Sequence, residues 1–166
     1  MSHRPSYSRA APQAYQAMLA LEAFVKSTAF ERSLIELVKL RASYINGCAY
    51  CVDMHTKDAR AAGETEQRLF AVPVWRETPF FSRRERAALA WTEAVTEIGR
   101  GGVSDELYRE ASEEFTASEL VELTVVVITI NGWNRLSVSF RTPVGGYVPG
   151  SSSGGAAASG SQPAAA

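Results

Sequence analysis

Two short polar motifs, each followed by apolar residues at helical spacing, constrain the fold of this chain more than any other feature. Ser82–Glu85 (SRRE) and Thr116–Glu119 (TASE) each place a hydroxyl residue three positions before a glutamate. This arrangement is a capping box, which begins an α-helix. The apolar residues after the first box recur on one helical face: Ala88, Trp91, Val95 and Ile98. The two boxes therefore predict two helices in the second half of the chain.

The same apolar periodicity predicts further helices from about residue 14, over about 30–45, 48–63 and 65–71, and from Ser104. Asn46-Gly47 separates two of them, because this pair tolerates a positive φ and often ends a helix. The β-branched run Val125–Ile130 is compatible with a strand. The capping box before it and a length of about 20 residues favour a buried helix. The prediction is an all-α domain over residues 13–142.

The two ends of the chain lack this periodicity. Residues 1–12 are polar and contain Pro5 and Pro12, which predicts an extended N-terminal arm. Residues 143–166 form a tail rich in Gly, Ser and Ala. Such a composition buries too little apolar surface to offset the entropy of ordering, so the tail is predicted to be disordered.

Charge and hydropathy exclude two classes of partner. Lysine and arginine total 17 against 18 aspartates and glutamates, a net charge of −1. Nucleic-acid binders carry a basic excess, which this chain does not have. No apolar run approaches the roughly 18 residues that a membrane-spanning helix needs, and no signal-peptide core follows the first residues. The prediction is a cytoplasmic protein that binds neither nucleic acid nor membrane.

The chain has only two cysteines, Cys48 and Cys51, three positions apart. A structural disulfide usually closes a longer loop, where cross-linking removes more entropy from the unfolded chain. A reducing cytoplasm also keeps an ordinary disulfide open. The pair is therefore interpreted as redox-active or metal-binding.

Helix geometry relates these cysteines to a histidine. Three helical steps separate the Cα atoms of Cys48 and Cys51 by about 5 to 5.5 Å, within the range of a disulfide. His55 follows Cys51 by four residues, so the two are neighbours on one helical face. The helix dipole favours a thiolate at Cys48, but a histidine base in reach favours Cys51 as the nucleophile. Cys48 is then left at the exposed end of the helix, placed to resolve a sulfenic acid on Cys51.

Two other interpretations of these residues stay open. Cys48, Cys51 and His55 could be three zinc ligands with Glu36 as a fourth, although structural zinc sites usually take a second pair from a distant segment. Alternatively, the cysteines are inert and buried, and the histidine is unrelated to them.

The segment Glu36–His55 (ELVKLRASYINGCAYCVDMH) resembles the core of the alkylhydroperoxidase D (AhpD) family, within the carboxymuconolactone decarboxylase superfamily. The family pattern is a glutamate, a CxxC pair twelve residues later, and a histidine four residues after the second cysteine. Glu36, Cys48, Cys51 and His55 match it, and residues 56–65 and 130–135 (INGWNR) are also similar. The resemblance covers residues 10 to 142.

The resemblance implies an all-α AhpD-like fold whose subunits form trimers or hexamers. It implies a peroxidase acting on hydrogen peroxide or organic hydroperoxides, with no bound cofactor, re-reduced by a lipoyl or thioredoxin-like thiol partner. Cys51 would be the peroxidatic cysteine and Cys48 the resolving one. Glu36 and His55 would form a proton relay.

One departure from the family pattern is Tyr50, which stands between the cysteines where well-known members carry a second histidine. A tyrosine is a poor base at neutral pH, so a shorter relay is predicted. Two alternative functions remain: a lactone decarboxylase, as in the relatives that name the superfamily, and a redox-sensing or zinc-stabilised interaction module without enzymatic activity.

Overall fold

A computed structural model of the protein describes residues 4–150, and these form helices without any strand. Residues 1–3 of the predicted arm and 151–166 of the predicted tail lie outside the described residues. The α-helices follow in chain order: α1 Tyr7–Ala10, α2 Pro12–Ser27, α3 Arg32–Ile45, α4 Ala49–Ala61, α5 Glu66–Ala71, α6 Arg83–Thr96, α7 Asp105–Glu114 and α8 Ala117–Phe140. Two 3₁₀ turns, Val72–Glu77 and Ile98–Arg100, flank α6.

Helix α3 is the centre of the fold, because α4, α6 and α8 all pack against it. One side of α3 contributes Leu34 and Val38 to an apolar cluster with α2, α6, α7 and α8. Another side contributes Leu37 and Leu40 to a second cluster with α4, α5, α6 and the first 3₁₀ turn. Such burial on several faces fixes the orientation of α3, which also carries Glu36.

The β-branched run is part of a helix, as its capping box predicted. Thr116 accepts a hydrogen bond from the Glu119 N–H, and Glu119 accepts one from the Thr116 N–H. Val126, Val127 and Ile130 are fully buried in α8. Burying each such side chain contributes about 1.5–3 kcal/mol, more than the weaker helix propensity of β-branched residues costs.

Both ends of the described chain are more ordered than their composition predicted. The prediction of an extended arm is wrong for Tyr7–Ala10, which form α1 with Tyr7 against the rings of Tyr15 and Phe140. Aromatic contact supplies the burial that a polar arm lacks. Residues 143–150 of the tail, called here the C-terminal segment, lie against α4 through several hydrogen bonds.

The junction between α3 and α4 is a Schellman turn that places the cysteine pair. The Cys48 N–H donates to the Ser43 carbonyl at 3.0 Å, and the Gly47 N–H donates to the Tyr44 carbonyl at 3.2 Å. Gly47 has φ +64°, the left-handed conformation that this turn requires. The turn carries the chain directly from the last residues of α3 into the first turn of α4.

Replacing Gly47 by alanine is expected to lower the free energy of unfolding by about 1–2 kcal/mol, because an added Cβ is strained at this positive φ. Chemical denaturation measures the effect. Gly99→Ala is the matched control, since Gly99 has open space around it and no positive φ. Equal stability losses in the two variants would contradict this role for Gly47.

Within residues 4–150, no single helix has both the length and the apolar composition to cross a membrane. Helices α7 and α8 meet that criterion only together, as a pair bent by 110°.

Candidate active site

The two cysteines lie at the start of α4 and are joined by a disulfide. Cys48 is the N-cap residue of α4, and its sulfur accepts a hydrogen bond from the Cys51 N–H at 3.3 Å. The two Cα atoms are 5.3 Å apart, which confirms the distance expected from helical spacing. The described structure is therefore the oxidised form of a CxxC pair at a helix N-terminus, where free N–H groups stabilise negative charge on sulfur.

The prediction that Cys48 lies exposed at the helix end is wrong. Cys48 is 1% exposed, the same fraction as Cys51. The physical reason is the Schellman turn, which folds Cys48 back onto the carboxyl end of α3 through its bond to Ser43. Both sulfurs are thus shielded, and a reagent reaches neither without passing neighbouring side chains.

Glu36 and His55 form a buried pair, which sequence reasoning alone could not place. His55 Nδ1 lies 2.8 Å from Glu36 Oε2, and the two residues are only 4% and 8% exposed. Packing of α3 against α4 brings them together across 19 positions of sequence. The family resemblance suggested a relay between these two residues, and the structure provides the contact that such a relay needs.

Two opposing effects act on the pKa of Glu36. Burial raises the pKa of this carboxyl, since a charge is poorly solvated inside a protein. The hydrogen bond and charge of His55, with the positive charges of Lys39 and Arg32, lower it by more. The net pKa lies below the ordinary value of a glutamate, so Glu36 is an anion at neutral pH.

The anionic state of Glu36 decides which nitrogen of His55 is available for chemistry. A carboxylate only accepts hydrogen bonds, so Nδ1 carries the proton and donates a hydrogen bond to Glu36. In a neutral imidazole, Nε2 is then the basic nitrogen. His55 Nε2 is buried, and no described residue forms a hydrogen bond with it. Cys51 lies one helical turn before His55 on the same helix.

A network of amide side chains fixes the junction before the cysteines to α8. Asn46 Nδ2 donates to Asn131 Oδ1 and to Asn134 Oδ1, both at 2.9 Å. Asn134 is fully buried and donates to Ser43 Oγ at 3.0 Å. Arg135 donates to the carbonyl and side-chain oxygens of Asn131. The segment INGWNR thus acts on the site by holding the α3–α4 turn in place.

Tyr50, in the position between the cysteines, is half-buried. Burial raises the pKa of its phenol, and the nearby Tyr7, Tyr15, Asp53 and Asp58 raise this pKa further. Tyr50 is therefore a neutral phenol across the physiological range, which agrees with the expectation that it is a poor base. Trp133, also within the similar segment, donates from Nε1 to Glu22 at 3.2 Å.

Asp58 is a site residue that the sequence did not single out. Potential ligand atoms of Glu36, His55 and Asp58 all lie within 4.8 Å of one another. Asp58 follows His55 by three residues in α4. Helical spacing alone could therefore have predicted that the two side chains are neighbours. These three side chains are the ones that could hold a metal ion here, whereas the cysteine sulfurs are bonded to each other in this form and offer no thiolate.

Comparison with known proteins identifies the family. The sequence profile of the carboxymuconolactone decarboxylase family matches residues 12–94. YdfG, an uncharacterized protein of Bacillus subtilis (strain 168), is 42% identical over 139 residues, covering 84% of this chain and 95% of YdfG. The chain belongs to the carboxymuconolactone decarboxylase family. The matched range contains the whole Glu36–His55 segment.

Solved structures place this family member beside AhpD-like proteins. One is a protein of unknown function from Agrobacterium tumefaciens, provisionally described as the antioxidant defence protein AhpD. It is 44% identical, with a TM-score of 0.84, covering 87% of this chain and 99% of that one. The debrominase Bmp8 is 18% identical, with a TM-score of 0.71 over 81% of this chain and 73% of its own. At this level of identity, the similarity to Bmp8 shows a shared fold and nothing about function.

Proposed function

We propose that this protein is a thiol-dependent peroxidase that reduces hydrogen peroxide or organic hydroperoxides. The observation that carries the proposal is a CxxC disulfide at the N-terminus of α4, on the same helix as a histidine that is paired with a buried glutamate. A dithiol that closes to a disulfide supplies the two electrons that cleavage of a peroxide bond consumes. The Agrobacterium protein, which is 44% identical and is provisionally described as an antioxidant defence protein, also supports a peroxidase.

In the proposed reaction, the Cys51 thiolate attacks one oxygen of the peroxide bond. The O–O bond breaks, the second oxygen leaves as an alcohol or as water after taking a proton, and Cys51 becomes a sulfenic acid. The Cys48 thiol then attacks the Cys51 sulfur and releases water, which forms the disulfide. In the disulfide form the two Cα atoms are 5.3 Å apart, within the usual range for a disulfide.

His55 and Glu36 would move the protons in these steps. His55 Nε2 takes the Cys51 proton and returns it to the leaving oxygen, and Glu36 holds the ring through Nδ1 and stabilises its positive charge. The Asp-His arrangement of serine hydrolases divides the same work between a carboxylate and an imidazole. Tyr50 takes no part as a base in this scheme.

The proposed cycle needs an external dithiol to reopen the disulfide. We propose a lipoyl or thioredoxin-like protein as this reductant, because thiol–disulfide exchange with a dithiol returns both cysteines to thiols. Since both sulfurs are buried, a partner with a long, narrow reactive arm fits the site better than a broad surface.

We also propose that the subunits assemble as a trimer or hexamer. Val121, Ile128 and Val138 of α8 are 66%, 52% and 48% exposed, and apolar side chains of this size are usually covered in an assembly. A sedimentation mass equal to one chain at micromolar concentration would contradict the assembly and leave the chemistry untouched.

Brief treatment of the reduced Cys48→Ser variant with a hydroperoxide is expected to trap a sulfenic acid on Cys51. Without the resolving thiol, the second step cannot occur, so intact mass rises by one oxygen and a dimedone adduct forms at Cys51. The unaltered protein under the same conditions should lose two hydrogens instead, as the disulfide closes. An oxygen adduct on Cys48 in a Cys51→Ser variant, with none on Cys51 in Cys48→Ser, would reverse the two assignments.

A further inference from the structure

The C-terminal segment is fastened to the helix that carries Cys51 and His55. Lys57 Nζ donates to the carbonyl oxygens of Gly145 at 3.2 Å and Tyr147 at 3.1 Å. The Gly145 N–H donates to Asp53 Oδ2 at 3.3 Å, and Asp53 is itself paired with Lys57 at 2.9 Å. These bonds hold residues 145–147 beside the two turns of α4 that follow the cysteines.

This attachment brings a phenol to the edge of the site. Tyr147 Oη lies 2.8 Å from Asp58 Oδ1 and 2.9 Å from Oδ2, so its proton is shared between both carboxylate oxygens. Burial raises the pKa of Tyr147, as do the hydrogen bond and charge of Asp58 and the neighbouring Glu36 and Tyr50. Tyr147 therefore stays protonated and remains a hydrogen-bond donor.

Asp58 connects this phenol to the Glu36–His55 pair. One oxygen of its carboxylate lies within 4.8 Å of a polar atom of Glu36 and of His55, so two carboxylates lie near one imidazole. A second anion at this distance favours protonated forms of every titrating group nearby. It is also a second hydrogen-bond acceptor near the ring, beside Glu36.

We propose that Tyr147 is a positioning residue for the Glu36–His55 pair, which it controls through its hydrogen bond to Asp58. The phenol proton disperses part of the Asp58 charge and holds this carboxylate in one orientation. The His55 ring then keeps the orientation in which Nδ1 lies 2.8 Å from Glu36. The effect of Tyr147 on peroxide reduction rests on the proposed function, whereas its effect on the Glu36–His55 pair does not.

Other charged and titratable groups surround the pair from the elements packed against it. Arg32 and Lys39 on α3 act on Glu36. On α4, Asp53 is paired with Lys57, and Tyr50 has Tyr7, Tyr15 and Asp53 as charged or titratable neighbours. The variants below leave all of these groups unchanged.

The test measures thiolate formation at Cys51, which requires no peroxidase activity. In the reduced Cys48→Ser background, the alkylation rate with iodoacetamide is followed against pH, and its midpoint belongs to the coupled Cys51–His55 system. Asp58→Asn should lower the midpoint by about one pH unit, because a nearby negative charge is lost. Tyr147→Phe should raise it by about half a unit, because the Asp58 charge is no longer dispersed.

The double variant decides whether Tyr147 acts through Asp58. Its midpoint should equal that of Asp58→Asn alone, since the phenol then has no carboxylate to compensate. Tyr108→Phe, at an exposed tyrosine away from the segment, is the matched control and should leave the midpoint unchanged. A role limited to anchoring the segment would lower stability without producing shifts of opposite sign.

The outcomes separate this inference from the proposed function. Unmoved midpoints in Tyr147→Phe and Asp58→Asn, or shifts of the same sign, overturn the positioning role even if the protein consumes peroxide. Midpoint shifts of opposite sign support it even if no peroxide is consumed, a result that would overturn only the peroxidase.

Discussion

Replacing Cys51 by serine is expected to reduce hydroperoxide consumption by at least about 1000-fold, because the thiol that attacks the peroxide in the proposed reaction is lost. A serine hydroxyl beside His55 is far less ionised than a thiol at neutral pH and does not form a sulfenic acid. The initial rate of hydroperoxide loss, with a dithiol as reductant in excess, measures the effect.

Cys48→Ser provides the matched control for that result. It removes an equally buried sulfur, 1% exposed like Cys51, from the same turn. Single-turnover reaction with peroxide should persist in it, whereas multiple turnover with a dithiol should slow. Peroxide consumption that survives Cys51→Ser would disprove the proposed mechanism. Turnover of a carboxymuconolactone that persists without both cysteines would instead support the decarboxylase chemistry for which the family is named.

The second large effect is expected for Glu36→Gln, which should lower kcat/KM for the peroxide by about 100-fold. The amide keeps the size of the side chain but removes the negative charge that stabilises a protonated His55. It also offers the ring either an oxygen or an N–H, so the tautomer that leaves Nε2 basic is no longer enforced. Steady-state kinetics at several pH values measure the change.

Glu93→Gln is the control for loss of a partly buried, ion-paired carboxylate. Glu93 accepts from Arg41 and from Trp75 Nε1, on the α6 side of the fold. That variant should lose stability while it keeps the peroxide rate per folded molecule. An equal loss of kcat/KM in both variants would indicate that Glu36 acts on stability alone.

The lowered pKa of Glu36 also predicts how its contribution to stability depends on pH. Its pKa is lower in the folded protein than in the unfolded chain, so its stabilising contribution is fully present above the unfolded-state pKa. The contribution is lost as the pH falls through the lowered folded-state pKa. The difference in unfolding free energy between the unaltered protein and Glu36→Gln should therefore shrink under acidic conditions.

Much of the helical architecture could be predicted because its signals are local. The capping boxes at Ser82 and Thr116 satisfy helix N–H groups within one turn, and both are present in the structure. The distance between the cysteines followed from helical rise alone. The ends of the chain were less predictable, because α1 and the C-terminal segment are ordered by contacts with distant residues such as Phe140 and Asp58.

For the cysteine pair at the start of α4, the sequence by itself determined the helix, the spacing of Cys48 and Cys51, and the shared face with His55, since each depends only on neighbours within two turns. Tertiary structure alone decided that Cys48 is buried, that Glu36 holds His55, and that Tyr147 reaches Asp58. These three facts depend on the angle between α3 and α4 and on the path of the chain after α8. Such angles follow from the packing of the whole core, which no local pattern specifies.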